Sequence, residues 1–163
     1  MQNDKAVKIL LFTDGACSGN PGKGGWAAII KNEKEVKISG AYEKTTNNRM
    51  ELIALIKGLQ NIKVNSSIDF YSDSQYIINA LTKGWIKSWQ NNGWKTANKK
   101  PVANKDLWEK VIDLSGKVTL NPIWVRGHDG HHENEICDKM AVDAYLNGPY
   151  EIDSDYVQLE KLF

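Results

Sequence analysis

Lys8-Ile9-Leu10-Leu11-Phe12-Thr13-Asp14-Gly15 is a short apolar run that ends on an acidic residue, and a glycine-rich segment follows it as far as residue 25. A helix needs about ten or more residues and would not tolerate this ending, so the run predicts a buried central strand with Asp14 at its tip. A buried carboxylate without a partner is unfavourable, and a cation, a metal ion or strong hydrogen bonds normally offset its burial. The run therefore raises the question of what neutralises Asp14.

Length and composition favour one ordinary globular domain that spans residues 1–163. A chain of 163 residues with 41% apolar and 25% charged residues is neither disordered nor collagen-like. Its apolar runs are much shorter than the roughly 18 residues of a membrane span, and the polar start does not resemble a secretory signal. Cys17 and Cys137 are far apart and lack a CxxC spacing, which is typical of reduced thiols. We therefore expect a cytoplasmic protein without membrane association.

Charge is distributed unevenly along the chain. The net charge of +1 argues neither for nor against a nucleic-acid partner. However, residues 83–105 contain six lysines and no acidic residue, whereas residues 147–163 contain four acidic residues and one lysine. The sequence thus predicts one basic segment and an acidic end.

The remaining sequence predicts a meander of strands followed by strands that alternate with helices. Apolar runs indicate strands at residues 26–30, 36–42, 67–73 and 118–126, and helical spacing follows residues 45–48, 74, 104 and 134. This order predicts an α/β fold with a mixed five-stranded sheet, an antiparallel meander plus parallel strands, flanked by helices. Pro122 favours an edge position for the last strand.

Four acidic residues recur at the boundaries of these elements: Asp14 and Asp73 at strand ends, Glu51 at the rim of a helix face, and Asp138 near the start of the last helix. If they converge, mutual repulsion would raise their pKa values unless cations neutralise them. Oxygen ligands favour Mg²⁺ or Mn²⁺, and two such ions about 4 Å apart can promote phosphodiester hydrolysis. Spacing alone leaves an alternative, in which the aspartates are turn or cap residues and Glu51 is an exposed helix acid.

The sequence around these acids is more specific than their spacing. The four segments are TDGACSGNPG at 13–22, TTNNRMEL at 45–52, YSDSQY at 71–76, and WVRGH followed by NEICD within 124–138. Together they closely resemble bacterial type 1 ribonuclease H, in order and at that family's spacing, over about residues 9–145. Each motif alone would be weak, and the four in register are specific.

The resemblance implies that the metal-binding and catalytic carboxylates are Asp14, Glu51, Asp73 and Asp138. It also implies that His128 is the family's mobile-loop histidine, which helps proton transfer and product release, and that Asn134 lies beside the site. Composition alone would allow His128 to be a solvated loop residue, but the glycines on either side of the loop favour mobility. A zinc site formed by His128, the next two histidines and Cys137 fits no standard ligand spacing.

Further matches to the family concern the substrate. Members of the family contact the minor groove of an RNA/DNA hybrid, where 2′-hydroxyl groups are displayed. The residues of this chain that match those contacts are Asn20, Asn47, Asn48 and Gln75. Cys17 and Thr46 correspond to positions near the substrate backbone. Thr46 and Asn47 are also good helix caps, and both roles can coexist.

The basic segment at about residues 83–105 looks like the family's basic protrusion, which grips the DNA strand. Lysines neutralise phosphates and tryptophan faces pack on sugars or bases, so we assign to substrate binding Trp85, Lys87, Lys95, Lys99 and Lys100. The alternative for the three tryptophans of the segment is that they hold the protrusion together. The tail at about residues 147–163 has no clear family counterpart, and the sequence leaves open whether it packs back, stays mobile or binds a partner.

The sequence therefore predicts a monomeric endonuclease that hydrolyses the RNA strand of RNA/DNA hybrids and leaves 5′-phosphate and 3′-hydroxyl ends. Two Mg²⁺ ions are expected with substrate, and Mn²⁺ is expected to substitute. One rival is a nuclease for DNA junctions or double-stranded RNA, which the groove-reading side chains disfavour. Another is a non-catalytic hybrid-binding module, which would be expected to lack one or more of the four acids.

Overall fold

A computed structural model describes residues 8–126 and 131–161, and these ranges contain six strands and six helices. The strands are β1 (Lys8–Cys17), β2 (Gly22–Lys31), β3 (Glu35–Thr45), β4 (Ser67–Ser72), β5 (Thr119–Trp124) and β6 (Tyr150–Glu151). The helices are α1 (Asn47–Gln60), α2 (Gln75–Thr82), α3 (Trp85–Asn91), α4 (Lys105–Ser115), α5 (His132–Asn147) and α6 (Ser154–Glu160). In the described ranges, no helix is long and apolar enough to cross a membrane.

The strands form one mixed sheet in the order β5-β4-β1-β2-β3-β6. β1, β2 and β3 pair antiparallel, β4 pairs parallel to β1, and β5 pairs parallel to β4, which confirms the predicted architecture. The predicted strand count is wrong by one, because Tyr150 and Glu151 of the tail pair parallel to Ala41 and Tyr42 of β3. β6 covers part of an edge that would otherwise expose unpaired backbone groups. β5, which contains Pro122, lies at the other edge as predicted.

Apolar side chains of β1 pack on both faces of the sheet. Leu11 belongs to the larger core, which the sheet forms with α1, α2 and α4. Its neighbour Phe12 belongs to a smaller core that includes Cys137 and Ala141 of α5. Successive strand residues point to opposite faces, and burial on both faces is typical of a central strand flanked by helices. The run that predicted a central strand is thus confirmed.

The glycine-rich segment is mostly strand, and the prediction that β1 ends at Asp14 is wrong. β1 continues to Cys17 and β2 begins at Gly22, so only residues 18–21 connect them. Glycines in this hairpin allow close approach of neighbouring elements, since a Cβ on Gly25 would collide with the carbonyl oxygen of Ala141. The pairing of β1 with β4 nevertheless stops at Phe12. Asp14 therefore lies in the part of β1 that extends beyond β4.

The protrusion and the tail are both attached to the body of the fold. Trp89 lies in a series of aromatic contacts, with ring centroids 6.3 Å from Trp85, 6.2 Å from Trp94 and 5.5 Å from the fully buried Trp108 of α4. These contacts support the alternative that the tryptophans hold the protrusion together. Between residues 147 and 161 the tail packs back through β6 and the buried side chain of Asp153.

Candidate active site

A pocket of about 410 Å³ opens beside the extended part of β1. Its walls come from β1, the first turns of α1, the residues that follow β4 and β5, and the first turns of α5. The side chains and backbone that line it belong to Asp14, Gly15, Ala16, Cys17, Asn47, Glu51, Asp73, Val125, Arg126, His131, Asn134, Glu135 and Asp138. The structure therefore brings all four predicted acids to one pocket, together with three of the predicted substrate residues.

Three of the acids form a tight group. Asp14, Glu51 and Asp73 each offer a carboxylate oxygen within 4.8 Å of the others, and Asp138 lines the pocket outside this group. The alternative of an exposed helix acid is wrong for Glu51, which is only 3% exposed. Asp73 is not the cap of α2, because Ser74 is.

Gly15 explains how a helix acid reaches a strand acid. Its backbone N–H donates to Asp14 Oδ1 at 2.9 Å and to Glu51 Oε1 at 2.6 Å. A Cβ at this position would lie 2.5 Å from the backbone nitrogen of Glu51, so only glycine lets α1 approach β1 so closely. One N–H thus serves two buried carboxylates, which is too little to neutralise them.

The electrostatics of the pocket disfavour the simultaneous ionisation of Asp14 and Glu51. Burial raises the pKa of Asp14 to about 7, the hydrogen bond with Glu51 opposes that rise, and the charges of Asp73 and Asp138 add to it. Burial, followed by the charge of Asp14, raises the pKa of Glu51 well above its usual range. Among the described residues, the second oxygen of Glu51 is buried without a hydrogen-bond partner. A bound cation would supply what these carboxylates lack.

The residues present fit a hard divalent cation. The donor set is made of carboxylate oxygens, which suit Mg²⁺ or Mn²⁺ rather than Zn²⁺. Within residues 8–126 and 131–161, Asp14, Glu51 and Asp73 are the group able to hold a metal ion. Cys137, the cysteine of the zinc alternative, is fully buried and does not line the pocket, and its thiol donates to the carbonyl oxygen of Phe12 at 3.5 Å. His128 lies outside the described residues, so its role stays a prediction.

The predicted groove-reading residues collect at the starts of α1 and α2. Thr46 caps α1 and accepts a hydrogen bond from the Arg49 backbone N–H at 3.3 Å. The side-chain oxygen of Asn20 accepts from the Asn47 backbone N–H at 3.1 Å, which ties the β1–β2 turn to α1. Asn48 and Gln75 are exposed near the starts of α1 and α2. Cys17 is the last residue of β1, and its sulfur lies 3.5 Å from the carbonyl oxygens of Gly22 and Thr45.

The protrusion residues do not line the pocket. The four predicted lysines are exposed, on α3 or in the connection that follows it, while Trp85 is half-buried. These residues are Lys87, Lys95, Lys99 and Lys100. Their roles in substrate binding therefore stay predictions, and any contact they make would lie away from the acids.

Two residues in or near the site were not foreseen. Arg126 lines the pocket because it follows β5 closely, just as Asp73 follows the neighbouring parallel strand β4. That shared position could have identified it, since the carboxyl ends of adjacent parallel strands lie at one edge of a sheet. Arg49, two residues before Glu51, is only 1% exposed. The sequence did indicate that Arg49 is buried, because it lies three and four residues before Leu52 and Ile53 and so falls within the apolar face of α1.

Comparison with known proteins points to one family. The RNase H family model matches residues 6–145. The ribonuclease H of Rippkaea orientalis is 48% identical over 143 residues, covering 87% of this chain and 88% of that protein. The ribonuclease H of Oleidesulfovibrio alaskensis is 52% identical over 137 residues, covering 82% of this chain and 88% of the relative.

Solved structures share the fold. LC9-RNase H1, a type 1 RNase H with the type 2 active-site motif, superposes with a TM-score of 0.79 at 25% identity, covering 91% of this chain and 76% of that one. LC11-RNase H1, crystallised in complex with an RNA/DNA hybrid, has a TM-score of 0.63 at 21% identity, covering 84% and 96% of the two chains. Because the family model matches most of the chain and relatives about half identical to it carry that name, the chain belongs to the ribonuclease H family.

Proposed function

We propose that the acidic pocket hydrolyses the RNA strand of RNA/DNA hybrids as an endonuclease that leaves 5′-phosphate and 3′-hydroxyl ends. The observation that carries this proposal is the convergence of Asp14, Glu51 and Asp73, whose carboxylate oxygens lie within 4.8 Å of one another. Membership of the ribonuclease H family supports the reaction, and the hybrid bound by the related LC11-RNase H1 supports the substrate.

Asp14, Glu51 and Asp73 would hold the catalytic cations, with Asp138 reaching them from α5. A pair of Mg²⁺ ions held by these residues would supply the activation of water and the stabilisation of charge on the leaving oxygen. The carboxylates would hold the cations at a fixed place, because the backbone N–H of Gly15 binds both Asp14 of β1 and Glu51 of α1. Mn²⁺ would be accepted by the same oxygen donors. His128 is proposed to accept and release protons beside this group.

The substrate would lie across the start of α1 and reach the protrusion. Asn20 and Asn47, joined by a hydrogen bond, and the exposed Asn48 and Gln75 are proposed to read the minor groove. Amide side chains can donate to and accept from 2′-hydroxyl groups, which distinguish an RNA strand from a DNA strand. Cys17, Thr46 and Asn134 would lie against the backbone near the acids. Trp85 and the four protrusion lysines would contact the DNA strand, where lysines neutralise phosphates.

We further propose a monomer in which residues 1–163 form a single domain, working with Mg²⁺ in the cytoplasm. One sheet connects the body and the tail, and the pocket is built from one chain. Cys17 and Cys137 are both free, which suits a reducing compartment. Light scattering at assay concentration tests the monomer, since a mass of twice 18.3 kDa would contradict it.

The deciding experiment is incubation with a strand-labelled RNA/DNA hybrid, with Mg²⁺ or with a chelator. Single-stranded RNA, double-stranded RNA and a DNA duplex serve as substrate controls. Asp14→Asn tests the pocket, and Asp143→Asn, an exposed acid of α5 that does not line it, is the matched control. Cutting of the hybrid RNA only with Mg²⁺, lost in Asp14→Asn and kept in Asp143→Asn, is expected. An intact hybrid in Mg²⁺, or equal cutting by Asp14→Asn, would refute the proposal and favour a binding module.

A further inference from the structure

Arg49 is a buried cation whose donors are all used within the protein. Its side chain is 1% exposed. Nε and Nη2 donate to the two carboxylate oxygens of Asp153 at 2.7 and 3.0 Å. Nη1 and Nη2 donate to the two oxygens of Asp106 at 2.9 and 2.7 Å, and Nη1 also donates to Asn104 Oδ1 at 3.3 Å. A guanidinium group has five N–H donors, so Arg49 is saturated by partners from two distant parts of the chain.

On one side, Arg49 ties the tail to the start of α1. Asp153 Oδ2 also accepts a hydrogen bond from the Thr45 hydroxyl at 2.9 Å. Asp153 therefore grips residues 45 and 49, which flank the proposed groove-reading residues Asn47 and Asn48. The tail that carries Asp153 is itself held by β6 and by the ion pair of Lys44 with Glu160 at 3.1 Å.

On the other side, Arg49 ties α1 to the base of the protrusion. Asn104 is the N-cap of α4 and Asp106 lies in its first turn, directly after the lysine-rich connection. Asn104 also donates to the Tyr76 hydroxyl oxygen at 3.3 Å, and Trp108 Nε1 donates to the same oxygen at 2.8 Å. The end of the protrusion is thereby connected to both α1 and α2.

We propose that Arg49, Asp106 and Asp153 form a positioning clamp, which holds the start of α1 and the protrusion at the spacing needed to contact one hybrid. This inference rests on the proposed function. None of the three lines the acidic pocket, so in this proposal they act through the residues that they hold. Two bidentate carboxylate pairs fix the guanidinium plane in a way that a lysine could not. Elements held in their bound arrangement lose less entropy when the hybrid binds.

A purely stabilising role would also explain a buried ion pair, so the test needs a readout that stability does not change. Loosening the clamp should weaken binding more than catalysis, because Glu51 is held separately through Gly15. It should also reduce the number of contacts between the protrusion lysines and the phosphates of the hybrid. Fewer phosphates are then neutralised, so the salt dependence of binding becomes shallower.

The test uses the full-length protein with Asp153→Asn and Arg49→Lys, both milder than alanine and chosen to keep the fold. Asp69→Asn is the matched control, because Asp69 is also a buried carboxylate, paired with Lys8 at 3.1 Å and with Asn121 at 3.1 Å, and lies near the far end of β4. Circular dichroism first establishes that every variant is folded at the assay temperature. KM, kcat and the salt dependence of hybrid binding in a chelator are then measured.

The expected result is a rise in KM of about three- to tenfold for both clamp variants, with kcat within about twofold of the parent. Asp69→Asn should keep the parent KM and salt slope even if its melting temperature falls. Clamp variants that melt earlier but keep the parent KM and salt slope would overturn the inference and leave Arg49 a stability element. Failure of the parent protein to cut the hybrid would instead overturn the proposed function, so the two failures are distinguishable.

Discussion

Replacing Asp14 with asparagine should stabilise the metal-free protein while it removes hydrolysis. Asp14, Glu51 and Asp73 bring oxygens within 4.8 Å of one another, and two unit charges at that distance repel by about 3 kcal/mol at an effective dielectric constant of about 20. Asparagine keeps the shape of the side chain and removes one charge. We therefore expect a gain of about 1–3 kcal/mol in unfolding free energy at pH 8, or about 2–4 °C in melting temperature for each kcal/mol.

The gain should depend on pH in a defined direction. Because the pKa of Asp14 rises from 3.8 to about 7 on folding, the folded protein retains a proton that the unfolded chain releases between these values. The stability of the parent protein should therefore fall as pH rises through this window, and Asp14→Asn should lack that contribution. The difference between the two proteins should be small near pH 4 and largest above pH 7.

Urea unfolding in a chelator, from pH 4 to pH 8, measures this difference, with Asp143→Asn as the exposed-acid control. Added Mg²⁺ should stabilise the parent protein more than Asp14→Asn, since a ligand that binds the folded state raises its stability. A variant that is less stable than the parent at pH 8, or a gain that is equal at pH 4 and pH 8, would contradict the charge repulsion derived from the pocket.

Other substitutions test the surroundings of the site. Although burial acts in the opposite direction, the ion pair with Arg49 lowers the pKa of Asp106 below its usual 3.8. The ionised Asp106 carboxylate therefore stabilises the folded protein above pH 3.8, and this contribution should be lost at lower pH. Urea unfolding should show the stability difference between the parent and Asp106→Asn narrowing from about pH 7 to about pH 2. Gly25→Ala should destabilise by about 2–3 kcal/mol or more, because its Cβ would collide with Ala141, whereas Gly116→Ala, which meets only ordinary contacts, should melt close to the parent. Removing the protrusion lysines should weaken hybrid binding and flatten its salt dependence with less effect on saturated turnover, and an unchanged slope in salt titrations would remove the protrusion from the binding surface. That variant replaces with alanine Lys87, Lys95, Lys99 and Lys100.

Local sequence predicted the parts of the fold that depend on local pattern. The apolar run before Asp14 predicted a central strand because both of its faces are buried, and the helical spacing after Thr46 predicted α1. The extension of β1 and β2 through the glycines was missed, since what makes glycine suitable there is the close approach of Met50 and Ala141, which are remote in sequence. β6 was missed because a two-residue strand has no periodicity of its own, and its position depends on the free edge of β3.

The acids of the site were predictable for a different reason. Each lies within a distinctive sequence motif, so the four could be proposed without knowing how the elements pack. Arg49 could not be placed in the same way, because its partners Asp106 and Asp153 lie 57 and 104 residues further along the chain. Only its position within an apolar helix face indicated that buried acids had to exist, and nothing local indicated which ones.

Arg49 and Glu51 present the same physical problem with opposite signs, two residues apart on α1. The charge of Arg49 is neutralised by carboxylates of the chain itself, so removing Asp106 or Asp153 leaves a buried cation short of a partner and should destabilise the folded protein. Glu51 lies among other acids, and one of its oxygens has no hydrogen-bond partner among the described residues. Removing a neighbouring charge there should instead stabilise the metal-free protein. The ion pairs of Arg49 hold α1 in place. The acids around Glu51 leave an excess of negative charge in the described part of the pocket, and a divalent cation is suited to neutralise it.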